Sequence, residues 1–307
     1  MLLSILIPLT PVIIFLVFLF APTGLILLLR NYQSRNKRSP LNFDMLRSPG
    51  ETLREKIEDL TIDTIINLTF IPIIPLTCYS MVTTIYFLNH KAPSSFSIYF
   101  YFALCLLSTS YLLHKSIKSS KERSTLRLGY ECELMVGQEL NCLIKEGFNI
   151  YHDFPADGFN IDHIAIGPTG IFSLETKGRA KRKIIENKNW EVIFDGKKLI
   201  FPGWTEEKPI IQAIDQAKWL RKWLQKSTGA EYKVDPVLVI PGWYIKRTGP
   251  SDLKTYNGKN PIFLSKGKTV LFPEQIQAIS YQIDQKCRTI APKSYNNGDT
   301  GKTNEKN

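Results

Sequence analysis

Residues 160–178 read N-I-D-H-I-A-I-G-P-T-G-I-F-S-L-E-T-K-G, two strand-like runs joined by a Gly-Pro-Thr-Gly turn. Side chains alternate along a strand, so Ser173, Glu175 and Lys177 share one face while Phe172 and Leu174 point the other way. At about 3.3 Å per residue, Glu175 and Lys177 stand roughly 7 Å apart along the strand. Asp162, on the preceding strand of the hairpin, reaches the same end of the sheet. Two carboxylates and a lysine are what metal-dependent phosphodiester cleavage needs. The acids supply oxygen ligands for a hard cation, and the ammonium orients water or stabilises the phosphorane. Taken alone, E-x-K is also the pattern of an exposed ion pair.

These residues need elements to hold them. Residues 127–146 carry Leu128, Cys132, Met135, Val136, Leu140 and Leu143 at three-and-four spacing, the mark of an amphipathic helix, and Gly147 supplies a stop. At 100° per residue, Glu133 falls about 20° from Leu140 and about 60° from Val136. A carboxylate thus sits on the face meant for burial, unless its long side chain snorkels at the stripe's edge. The runs 148–154, 160–167 and 170–176 form an antiparallel meander, and 183–201 reads as a further hairpin turning at Asp195-Gly196. Pro209 opens a second amphipathic helix to about Lys226, with Ile210, Ala213, Ile214, Ala217 and Leu220 inward. Gln212, Gln216, Trp219 and Trp223 occupy its other face. Val237–Ile240 is an apolar strand, Pro261–Leu264 a short further one, and Pro273–Cys287 a helix. From Arg288 the polar chain reads as a disordered tail.

Three stretches taken together are more specific than any one. G-Y-E-C-E-L-M-V at 129–136, the 160–178 run and P-I-I-Q at 209–212 resemble the nuclease-related domain family, NERD, over about residues 127–240. That family is assigned to the PD-(D/E)xK nuclease superfamily. The resemblance implies an α/β, restriction-endonuclease-like domain with a mixed central sheet flanked by helices. It implies Asp162 and Glu175 as ligands of Mg²⁺ (Mn²⁺ as a substitute), joined by the Thr176 backbone carbonyl and Glu133. Lys177 would be the catalytic lysine and Gln212 the glutamine of the later helix. Cys132 stands where the family usually has Gly, so a larger side chain sits beside Glu133. His163 follows Asp162 as in the family pattern, but by alternation it points to the opposite face and is read as structural.

Lys177–Lys183, K-G-R-A-K-R-K, follows this site directly. Arg179, Lys181, Arg182 and Lys183 could grip a phosphate backbone, contact lipid headgroups or form a solvated loop. The charge balance points the same way. Residues 114–307 hold 31 of the 39 Lys and Arg and 22 of the 28 Asp and Glu, a net of +9 that suits a polyanion, either nucleic acid or the anionic inner leaflet. Five cysteines without a CxxC pair and only four histidines argue against a zinc ribbon, a c-type haem site or a disulfide scaffold. No Walker-type phosphate loop is present, so no nucleotide cofactor is expected.

The first 113 residues are chemically different. Residues 1–29 carry no charged side chain, longer than the roughly 20 apolar residues that span a bilayer. No basic residue precedes them and no A-x-A site ends them, which disfavours a cleaved signal peptide. Residues 64–88, with Pro72 and Pro75, and 96–113 are likewise free of Lys, Arg, Asp and Glu. They read as a second and third span, or alternatively as a buried helical hairpin. Seven Lys and Arg separate the first two spans, one (Lys91) the last two, and five follow the third. By the positive-inside rule the N-terminus faces outward and the C-terminal domain the cytoplasm, in a multi-pass inner-membrane protein.

The expected organisation is therefore a first span (1–30), a cytoplasmic basic loop (31–62), two further spans (63–113), a basic linker (114–126), a nuclease-like domain (127–287) and a tail (288–307). The expected function is metal-dependent cleavage of nucleic acid at the bilayer's inner face, with DNA favoured over RNA. The alternative is a catalytically silent nucleic-acid-binding or membrane-scaffold module that keeps the fold.

Overall fold

The structure is a computed structural model and describes residues 2–34, 37, 39–89, 92–181 and 190–294. The chain divides into two compact units. One comprises Met1–Asn42, Glu58–Arg123 and Pro292–Asn307, and the other Phe43–Ile57 and Ser124–Ala291.

The first unit is helical. It is built from α1 (Leu2–Ser34) and, after a two-residue strand β1 (Met45–Leu46) that belongs to the other unit, from the greater part of α2 (Glu51–Asn89) and α3 (Ser95–Leu140). Among the described residues, three helices are long and apolar enough to cross a membrane, within Leu16–Gln33, Glu51–Phe87 and Ser95–Glu146. Large apolar side chains such as Phe18, Leu28, Phe96 and Leu107 are exposed along them. α2 passes through Pro72 and Pro75 without ending.

Two segments expected as connections are helix instead. Residues 51–62, placed in the basic loop, open α2, because Ser48-Pro49-Gly50 makes the turn and E-T-L-R-E-K supplies mostly good helix formers. Residues 114–126, expected as a linker, lie inside α3, since they contain neither Gly nor Pro to stop it. The helix expected to run to Glu146 ends at Leu140 and tightens into a 3₁₀ turn, Asn141–Glu146, closed by Gly147 at φ 80°.

The second unit is α/β. Its main sheet joins β2 (Asn149–Pro155), β3 (Asn160–Gly167) and β4 (Gly170–Thr176) as the expected antiparallel meander. After the hairpin β5 (Glu191–Phe194) and β6 (Leu199–Phe201), β7 (Trp204–Glu206) and α4 (Lys208–Thr228), the strand β8 (Val234–Val239) returns parallel to β4. β9 (Tyr244–Arg247) pairs parallel with β5, and β10 (Lys254–Tyr256) parallel with β8. The order is β10-β8-β4-β3-β2 in the mixed main sheet and β7-β6-β5-β9 in the smaller one. The part of the expected hairpin at 183–189 lies outside the described residues.

Alternation buries both faces of the main sheet. Ile164, Ile166 and Ile171 pack with Ala217 and Leu220 of α4 and with Ile279 and Ile283 of α5 (Pro273–Cys287). Ala165, Phe172, Leu174 and Val237 pack on the opposite face with Val136 and Leu140 of α3. A sheet covered on both sides by helices is the mixed α/β architecture expected.

Two further expectations are corrected. Pro261–Leu264 is a 3₁₀ turn and not a strand; Pro261 sits at its first position after Asn260 in the left-handed region. Residues 288–290, assigned to the tail, form β11 (Arg288–Ile290), which pairs antiparallel with β1. Residues 295–307 lie outside the described residues.

Candidate active site

The registers of the meander align three acids. His152 faces His163 and Phe154 faces Ile161 across β2 and β3, which sets Asp153 opposite Asp162; His163 faces Leu174 across β3 and β4, which sets Asp162 opposite Glu175. Like charges on directly opposed strand positions repel, and each carboxylate in this row is handled differently.

Asp153 is turned by a left-handed backbone, φ 48°. Its Oδ2 accepts from Arg47 Nε at 2.9 Å and Nη2 at 2.6 Å, and from Thr52 N–H and Oγ1 at 2.8 Å each. Its Oδ1 accepts from Asn160 Nδ2 at 3.0 Å. Asp162 stays in the row, and its Oδ2 accepts the Thr176 N–H at 2.7 Å. Glu175, 1% exposed, ion-pairs through Oε1 with Lys177 Nζ, while its Oε2 is buried with no hydrogen-bond partner. The Lys177 N–H donates to the Val239 carbonyl at 2.8 Å, carrying the β4–β8 ladder one residue further and holding Lys177 on the face of Glu175. Glu133 reaches the same place from α3 and is buried at 8% exposure. The expectation that this acid is turned inward holds.

The Cys132 beside it is accommodated by Gly178, where an added Cβ would lie 2.9 Å from Cys132 Sγ. Gly50, at φ 68°, likewise lets the start of α2 approach Tyr130; a Cβ there would lie 2.8 Å from the Tyr130 ring.

These carboxylates shift one another. Burial pushes Glu133 up to about 8, helped by Asp153 and Glu175 and opposed by Lys177. Burial also raises Asp162 well above the usual carboxylate range, with Glu175 and Glu133 adding to it and Lys177 and the Thr176 N–H opposing. Glu175 is raised by burial against Lys177, Gln216 and Arg179. An acidic cluster of this kind, short of positive charge, is stabilised by a cation.

Among the described residues no group of three or more His, Cys, Asp and Glu closes on a common metal position. Mg²⁺ does not require such a cage, because it binds through one or two carboxylates and keeps water and substrate oxygens. Asp162 and Glu175 on adjacent strands, with one Glu175 oxygen unpartnered, offer that donor set, and all of its donors are oxygen.

The acids line a cavity of about 480 Å³ whose walls also include Thr52, Lys56, Lys177 and Gln212. A second cavity of about 640 Å³ shares Lys177 and Gln212 with it and extends past Arg179 to Lys208 at the start of α4.

Of the two glutamines expected on the outer face of α4, one is placed there and one is not. Gln212 is exposed and lines both cavities, whereas Gln216, expected on the outer face, is 2% exposed. Its Nε2 donates to the Asn160 carbonyl at 3.1 Å, and the side chain lowers the Glu175 pKa. Trp219 and Trp223, also expected outside, are half-buried against Phe154.

The basic run is partly engaged within the chain. Arg179 donates to Glu206 from Nε at 2.8 Å and from Nη2 at 2.6 Å. Its guanidinium, with the Trp204 indole, holds Glu206 below its usual range against the effect of burial. Lys181 Nζ lies 5.5 Å from the centre of the Trp243 ring, and Arg182 and Lys183 lie outside the described residues.

His163 turns to the far face, where its Nδ1 and that of His152 are 2.9 Å apart. Burial lowers both histidines, His152 to about 4. Both are neutral and structural, in keeping with the alternation.

Sequence reasoning missed Asp153, Arg47, Thr52, Lys56 and Gln216. Gln216 could have been found one helical turn after Gln212, on the same face. Arg47 and Asp153 are 106 residues apart and leave no local signal.

A family model described as the nuclease-related domain, NERD, matches residues 128–241. No curated protein and no solved structure matches the chain. The family match spans Glu133, Asp162, Glu175, Lys177 and both glutamines, and indicates a nuclease-related function for that part of the chain. Residues 43–57, which supply Thr52 and Lys56 to the cavity, fall outside it.

Proposed function

We propose that this chain is a membrane-anchored, Mg²⁺-dependent nuclease that hydrolyses phosphodiester bonds of nucleic acid, with DNA favoured over RNA. The observation that carries the reading is the convergence of Glu133, Asp162 and Glu175 on the cavity containing Lys177, one oxygen of the lining Glu175 being buried and unpartnered. Asp162 and Glu175, with the Thr176 backbone carbonyl, would hold the ion, and Glu133 would stand beside them in the same cavity. Bound Mg²⁺, or Mn²⁺ in its place, supplies Lewis-acid polarisation and charge neutralisation at the phosphoryl group.

The chain's own groups do the remainder. The Lys177 ammonium, 23% exposed, meets the attacking water or offsets charge on the phosphate oxygens. Glu133, with its pKa near 8, holds a proton near neutral pH in the metal-free site. Gln216, buried near Glu175 and bonded to the Asn160 carbonyl, opposes the upward shift of the Glu175 pKa. Lys181, Arg182 and Lys183 would grip the backbone beyond the site; Arg179 serves first to neutralise Glu206.

The anchoring helices are read with the N-terminus outside and the nuclease-like unit in the cytoplasm of a multi-pass inner-membrane protein. The seven-one-five distribution of Lys and Arg supports this orientation.

A second reading, a silent nucleic-acid-binding or scaffold module, is favoured by one observation. Lys177 neutralises Glu175 and the Thr176 N–H satisfies Asp162, so the site is partly self-satisfied. Incubating the purified full chain with plasmid, linear DNA and RNA, with Mg²⁺, Mn²⁺ or chelator, separates the two. Cleavage that requires the metal supports the nuclease; binding without cleavage under every condition supports the silent module.

A further inference from the structure

The left-handed Asp153 does more than leave the acidic row. Its carboxylate caps the first turn of α2 through the Thr52 N–H and hydroxyl, and it ion-pairs with Arg47. Arg47 also donates to Thr289 of β11 at 3.2 Å and to the Thr52 hydroxyl at 2.7 Å. A strained non-glycine residue persists where its surroundings over-determine it, and here those surroundings are residues 43–57 together with Asn160. The result is a fixed start for α2 against the site. Lys56 follows Thr52 by one turn, so it lies on the same helix face and lines the cavity with Asp162, Glu175 and Lys177.

The charges of that cavity are unbalanced for a polyanionic ligand. Its walls carry Glu133, Asp153, Asp162 and Glu175 against two lysines. Lys177 is paired with Glu175, and among the described residues Lys56 has no acidic partner. Arg47 and Arg54 of the same segment are already committed to Asp153 and Glu51.

We propose that Lys56 binds a backbone phosphate of the polynucleotide next to the one held at Lys177, so that residues 43–57, outside the nuclease-related match, form a working wall of the substrate site. This rests on the nuclease reading and extends it. The ligand is a strand with a phosphate flanking the scissile one, gripped without regard to base.

The test uses the full chain in detergent as wild type, Lys56→Ala and Lys56→Arg, with Lys226→Ala, an exposed lysine in the last turn of α4, as a charge-matched control. Binding of a short labelled DNA duplex and single strand is measured over a salt series without divalent metal, and KM and kcat are measured with Mg²⁺. Lys56→Ala should weaken binding and raise KM about three- to ten-fold with kcat retained. It should also reduce the slope of log affinity against log salt by about 0.7–0.9. Lys56→Arg should restore both and Lys226→Ala should change neither.

If the wild type cleaves and Lys56→Ala matches it in affinity, KM and salt slope, the wall is only structural and the inference fails while the nuclease reading stands. Equal losses in Lys226→Ala, or a fall in kcat at unchanged KM, also overturn it. A wild type that neither binds nor cleaves DNA or RNA removes both.

Discussion

Replacing Arg47 with Ala should loosen the candidate site by detaching residues 43–57, with a cost that follows from the geometry. The side chains of Arg47 and Asp153 are 11% and 4% exposed. Removing one partner of a buried ion pair costs about 3–5 kcal/mol, because a buried charge is left uncompensated. Thr52 and Asn160 still donate to Asp153 in the variant, which sets the expectation at the low end, about 3 kcal/mol. For a unit of this size, that lowers Tm by about 6–12 °C. All five tryptophans of the chain, from Trp190 to Trp243, belong to the α/β unit. Tryptophan fluorescence of the intact chain therefore follows that unit alone. Hydrogen exchange over residues 43–57 should accelerate in parallel. Asp153→Asn keeps an acceptor for Thr52 and suits the left-handed backbone, so adding Arg47→Ala to it should cost much less than Arg47→Ala alone. A Tm drop under about 3 °C, corresponding to less than about 1 kcal/mol, or full additivity of the two substitutions, would refute the anchoring role of the pair.

Three other outcomes are expected. Asp162→Ala and Glu175→Ala should abolish cleavage and weaken Mn²⁺ binding together, whereas Lys177→Ala should abolish cleavage while sparing or raising Mn²⁺ affinity; calorimetry beside a nicking assay checks this, and normal metal binding by both acid variants would dismiss the proposed ligands. In chelator, Glu133 has a folded pKa of about 8, above its ordinary 4.5, so the stability it contributes is complete below about pH 4.5 and is lost as pH rises through about 8, by several kcal/mol at roughly 1.36 kcal/mol per unit. Tm should fall between pH 5 and 9, Glu133→Gln should flatten that fall, and a wild-type profile as flat as the variant's would contradict it. A reporter fused after Asn307 should be active only in the cytoplasm, as the seven-one-five loop charges require, and activity outside would invert the topology.

The meander and the row of Asp162 and Glu175 were legible because β3 and β4 alternate cleanly about a Gly-Pro-Thr-Gly turn, so periodicity and turn chemistry agree. α4 was legible from Pro209 and its apolar stripe, but the facing of Gln216 was not. A buried glutamine beside a carboxylate is chosen by the neighbouring strand, and hydrophobic period assigns it outward. β7, β9, β10 and β11 are three or four residues each and carry Lys, Arg, Thr and Tyr among them. Such segments become strands only because another edge is there to pair with. Asp153 was hidden for a similar reason, since its departure from the strand conformation is imposed by Arg47 and Thr52 from a distant part of the chain.

The pairing of β1 with β11 bears on the order in which the protein is made. Met45 faces Ile290, so one edge of the α/β unit waits for residues synthesised some 240 positions later. During translation β1 and Arg47 emerge first, and the apolar lengths of α2 and α3 must leave the ribosome before Asp153 can receive Arg47. Closing so long an interval carries a loop entropy that grows only slowly with length but must be met before any contact repays it. The cavity wall that bears Lys56 is thus early in synthesis and late in assembly. Nascent chains halted before residue 288 lack the strand that receives β1, and a polypeptide begun at residue 114 lacks Arg47, Thr52 and Lys56 altogether.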